Sequence, residues 1–138
     1  MNLNLLIKLS LFGLVMGIAT AFFIPSNIEG ILWLIIFIVC AYLIAKNCSQ
    51  MYLTNGFCLS LLNCVWIIAA HAVFYHYYEK GHAQEAAIYN GNPYKIAPQL
   101  AMAIMGIFTG IVSGLVQGIF AFIASKIVKS KHHVNPVG

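Results

Sequence analysis

Four long apolar runs, separated by short polar connections, set the pattern of this chain. Residues 4–24 run without a charge after Lys8 and stop at Pro25, which predicts a first membrane span. The segment Pro25-Ser26-Asn27-Ile28-Glu29-Gly30 reads as a tight turn. A second span follows over residues 31–46, evenly apolar, without glycine, and short enough that Lys46 must snorkel to complete it. That even surface predicts the most lipid-exposed of the four helices. A third span is expected over 56–78 and a fourth over 98–127, opened by Pro98 in its first turn. Between them, residues 79–97 form the long loop, where Ala83 to Tyr89 can make one or two helical turns. Residues 128–138 are expected to be a polar tail.

Within the fourth span, Gly106, Gly110, Gly114 and Gly118 recur every four residues. Residues four apart stack on one face of a helix, so the glycines make a shallow groove that another backbone can enter. In water each would cost a helix about 1 kcal/mol relative to alanine, whereas in lipid small residues at this spacing drive helix association. Gly13, Gly17 and Ala21 repeat the pattern in the first span. The two stripes predict that the fourth span packs on the first. A seam used between copies of the chain, or with another membrane protein, is the alternative. The fold expected is an all-α integral membrane protein, one four-helix transmembrane domain over residues 1–138 with a glycine-zipper fourth helix.

Composition removes other classes. Of 138 residues 62% are hydrophobic and 7% charged, against about 25% charged in soluble domains. The seven basic residues are all lysine, and they are too few and too scattered to bind nucleic acid. With four spans, Lys8, Lys46, Lys126, Lys129 and Lys131 share one side, while Lys80, Lys95 and the acids Glu29, Glu79 and Glu85 share the other. This bias predicts cytoplasmic termini, in keeping with a bacterial inner membrane. The stretch from Lys8 to Ala19-Thr20-Ala21 also imitates a signal peptide, but is read as a span.

Candidate chemistry is sparse. Asn63 and Gln117 lie deepest in the spans and, counted from the helix ends, at similar depth, so they are expected to bond to each other. With Ser60, Ser113 and Thr109 they can also line a polar path. His71, His76, Glu79 and His82 gather near one end of the third span and include residue types that ligate zinc or copper. Interleaved Tyr75, Tyr77 and Tyr78 make an interfacial belt the leading reading of this cluster and a metal site the alternative. The cysteines, Cys40, Cys48, Cys58 and Cys64, show no CxxC pair and read as small buried hydrophobes, with Cys48 placed where lipidation is chemically open. The sequence implies no cofactor and no catalytic site. Its leading functional reading is a non-enzymatic protein acting through helix association, alone or as an accessory subunit. A small channel or transporter comes next, and a protein using the histidines for metal or catalysis third.

Overall fold

The computed structural model describes residues 1–132, with side chains to Val128. Its elements are α1 (Leu3–Phe22), α2 (Ser26–Asn47), α3 (Tyr52–Val73), α4 (Tyr75–Gly81), α5 (Ala83–Asn90) and α6 (Pro98–His132). Among the described residues there is no strand. Four of the helices, α1, α2, α3 and α6, are long and apolar enough to cross a membrane, which makes this a membrane protein.

The helix ends depart from the sequence reading for local reasons. Asn2 caps α1, its side-chain oxygen accepting from the Leu5 N–H at 3.2 Å. The expected turn at residues 25–30 is instead the first turn of α2. Pro25, at φ −77°, sits before the helix without needing an N–H, and Glu29 falls in the first turn, where a negative charge suits the helix dipole. At 22 residues α2 is a full span without help from Lys46. Met51 takes the left-handed conformation, φ 59° and ψ 39°, and turns the chain into α3. That helix ends at Val73, because Phe74 leaves helical geometry at φ −102° and ψ 28°. Tyr75, Tyr77 and Tyr78 therefore belong to the separate helix α4. The turns expected at 83–89 are α5.

α6 has 35 residues, about 52 Å at 1.5 Å per residue, and so outruns a hydrocarbon core of about 30 Å. Residues 128–132, expected in a tail, are helical. The tail's His133 lies outside the described residues, as do the side chains of Lys129, Lys131 and His132.

α3 is the central helix: α6 packs along one side of it and α1 along another. Both glycine stripes are spent there. A methyl group built on Gly106, Gly110, Gly114 or Gly118 would meet Ile68, Cys64, Phe57 or Leu53 of α3 within 2.8 Å. On Gly13 it would meet the Asn63 Cα at 2.6 Å, and on Gly17 the Ala70 Cβ and Ile67 Cα at 3.0 Å. Gly56 reciprocates from α3, facing the Gln117 carbonyl oxygen at 2.6 Å and the Gly118 Cα at 2.7 Å. The expected contact between the first and last spans is thus replaced by α3, which stands between their two stripes. Polar side chains bridge the same surfaces. Cys64 Sγ donates to the Gly106 carbonyl at 2.9 Å, the Ser60 and Ser113 hydroxyls pair at 2.9 Å, and the Trp66 indole donates to Ser10 at 3.1 Å.

α2 is the least buried of the four long helices, as its even apolar surface predicts. Its buried residues are Cys40, Ala41, Ile44 and Ala45, all in the second half. Small side chains there let α2 approach α6 and join the core of Leu6, Leu9, Leu59 and Ala121. The stretch Ile31-Leu32-Trp33-Leu34-Ile35-Ile36-Phe37, which follows Gly30, has no small side chain, and none of it is buried. The buried part of α2 is thus confined to its second half.

Candidate ligand cavity beneath the α4–α5 cap

A cavity of about 460 Å³ lies between α2, α3 and α6, within the range usual for small-molecule sites. Its floor is formed by Ser60, Asn63 and Ser113, and its apolar walls by Ile67, Ile68, Met102 and Met105. Near the cap it is lined by Glu29 and Trp33 of α2, Tyr78 of α4 and Tyr89 of α5. Met105 and Thr109 both line the cavity and are themselves exposed, so it opens sideways along α6.

The polar groups are held in distinct ways. Trp33 donates its indole N–H to Glu29 Oε1 at 3.1 Å, one turn away on α2. Glu29 Oε2 lies 4.0 Å from His82 Nε2, and neither ring nitrogen of the buried His82 has a hydrogen-bond partner. Thr20 gives its hydroxyl proton to the Met16 carbonyl at 2.8 Å, so its oxygen accepts from His71 Nε2 at 2.7 Å. This fixes the His71 tautomer. His71, Tyr78 and His82 then form a column of rings with centroids 4.4 Å apart at each step, which ties the cavity wall to the cap.

The cap meets α2 through side chains. The Ser26 hydroxyl and its own backbone N–H hold the Glu85 carboxyl below the usual range. Burial is the main cause that pushes the Tyr78 and Tyr89 phenols up, with the carboxylates of Glu85 and Glu29 adding to it.

Of the residues expected to form a polar path, Asn63, Thr109 and Ser113 line the cavity, as does Ser60, while Gln117 does not. Gln117 donates to the Phe37 carbonyl at 3.3 Å, and its Oε1 has no partner. The expected Asn63–Gln117 bond is absent because Gln117 sits opposite Gly56, seven residues and about 10 Å along α3 from Asn63. Asn63 Oδ1 has no hydrogen-bond partner and lies against Gly13, which presents a Cα–H at that position.

The residues considered for metal binding do not converge. His71 is engaged by Thr20, and Glu79 accepts from Asn90 at 2.8 Å. His76 is exposed beside Tyr77. Among the described residues no group of three or more His, Cys, Asp or Glu side chains is placed to hold a metal ion. All four cysteines are free, Cys40 and Cys64 being buried and Cys48 and Cys58 half-buried.

Sequence reasoning missed Glu29, Trp33, Tyr78 and Tyr89. A signal was present in α2, where Glu29, Trp33 and Phe37 recur every four residues on an otherwise aliphatic helix. Assigning Glu29 to a turn hid it. Set against known protein families, curated proteins and solved structures, the chain has no match.

Proposed function

We propose that this chain is a small, non-enzymatic membrane protein that takes an amphipathic molecule into the cavity beneath its cap, as a carrier or transporter. The observation that carries this reading is the 460 Å³ space between α2, α3 and α6, apolar along its walls and polar at both ends. The accessory-subunit reading loses its main support, because the glycine stripes of α1 and α6 face α3 of the same chain. We further propose a four-helix bundle with its termini in the cytoplasm of a bacterium and its cap outside the inner membrane, on the strength of the lysine bias.

The test is saturable binding of the uncharged fluorophore N-phenyl-1-naphthylamine to the protein in nanodiscs, referenced to empty nanodiscs. Thr109→Trp places a bulky ring at the lateral opening. Saturable binding weakened at least about tenfold by the substitution supports the reading, in line with the contact a buried aromatic ligand makes. Binding no greater than to empty nanodiscs, or indifferent to Thr109→Trp, refutes it.

A further inference from the structure

We infer that the cavity selects a lipophilic organic monocation, an amine or quaternary ammonium group carried on an apolar body. The inference rests on the cavity being a ligand site and adds the charge and shape of what enters it. Among the described residues, Glu29 is the only acidic side chain on the lining, and no lysine lines it. Since the chain has no arginine, an anionic ligand would find repulsion and no fixed cation. An inorganic divalent ion would need several oxygen ligands, where this lining offers one carboxylate.

The position of Glu29 gives it an unused oxygen. Oε1 is occupied by the Trp33 indole at 3.1 Å. Oε2 has only His82 Nε2 at 4.0 Å, beyond hydrogen-bond distance. An ammonium group arriving there would meet that oxygen and, beside it, the rings of Trp33 and Tyr89 on the same lining, the faces of Tyr78 being covered by His71 and His82. Aromatic faces attract cations, and most strongly where water is excluded. The apolar body would lie deeper, along Ile67, Ile68 and Met105, and the sideways opening at Met105 and Thr109 admits it from the lipid. The two halves of the cavity thus ask for the two halves of one kind of molecule.

Three probes of matched shape decide the matter: benzyltrimethylammonium, its uncharged carbon isostere neopentylbenzene, and phenylmethanesulfonate. Each is titrated calorimetrically into the protein in nanodiscs against empty nanodiscs. The cation should bind about tenfold tighter than the neutral isostere, and the sulfonate least. Glu29→Gln keeps an acceptor for the Trp33 indole while removing the charge. It should bring the cation down to the affinity of the neutral probe and leave the neutral probe unchanged, which also shows that the variant is folded. If cation and isostere bind alike and Glu29→Gln alters neither, or if the sulfonate binds best, charge selection is overturned and the cavity survives as a ligand site. If none of the three binds above empty nanodiscs, the cavity reading falls as well.

Discussion

Gly56 and Gly106 provide a contrast that spacing cannot supply, because a methyl group added at either position lands at nearly the same distance from very different neighbours. At Gly56 it would lie 2.6 Å from the Gln117 carbonyl oxygen and 2.7 Å from the Gly118 Cα, both backbone atoms, where ordinary contact begins at 3.4 Å. Nothing there can rotate aside. Relief requires α3 and α6 to part by several tenths of an ångström, which loosens the contacts between the two helices along the seam. Overpacking costs about 1–3 kcal/mol, and the upper part of that range, about 2–3 kcal/mol, applies where the clash is with backbone on both sides. The alanine returns up to about 1 kcal/mol in helix propensity, so Gly56→Ala should destabilise by about 1–2 kcal/mol. At Gly106 the methyl would lie 2.7 Å from Ile68 Cγ1 and 2.9 Å from Cδ1, side-chain atoms that can yield without moving either backbone. Ile68 has one strongly preferred χ1 in a helix, so the relief is a small shift and not a free rotation, and Gly106→Ala should cost no more than about half as much as Gly56→Ala. Steric trapping in bicelles measures both on one scale. Equal losses at the two positions, or a neutral Gly56→Ala, would refute the claim that backbone contact between α3 and α6 sets the seam.

The depressed Glu85 carboxyl fixes a sign in pH. Its folded value lies below its unfolded one, so its contribution is present above the ordinary carboxylate range and is lost as pH falls through the folded value. Ser26→Ala should flatten that acid limb in thermal unfolding followed from pH 6 to pH 3. The raised phenols of Tyr78 and Tyr89 act in the opposite direction, their stabilisation being complete below about pH 10 and lost above it. The proposed orientation is checked at Cys48, which ends α2 on the side of the termini. A membrane-impermeant maleimide should label it in inverted vesicles and not in right-side-out cells. Labelling should be slower than at a free surface thiol, since burial raises the Cys48 thiol.

The four spans were legible because each is an unbroken apolar run, and α6 began at Pro98 as that residue's missing N–H requires. The glycine stripes were legible as surfaces for close approach. What they approach was not, since Leu53, Phe57 and Ile68 are ordinary apolar residues that any span might carry. Gly56 was the one mark on α3 that a backbone passes there. The mispairing of Asn63 with Gln117 came from counting inward from helix ends, which fails when one helix is 35 residues long and its neighbour 22. The break at Phe74 involves neither proline nor glycine and follows from the fold around it. The cavity lay hidden in a distribution of sizes, with no residue smaller than valine from Ile31 to Val39 and small ones returning at Cys40, Ala41 and Ala45.

The central place of α3 also bears on how the chain assembles. α1 and α2 emerge first, yet they touch each other little, and the faces of Gly13 and Gly17 are complementary to a helix made later. The early hairpin therefore waits, its stripe turned to lipid, until α3 arrives. A nascent chain arrested after Asn47 should leave a cysteine placed at Gly17 open to a lipid-soluble maleimide, and one arrested after Val73 should protect it. The helix against which α1 packs is thus made only after both α1 and α2.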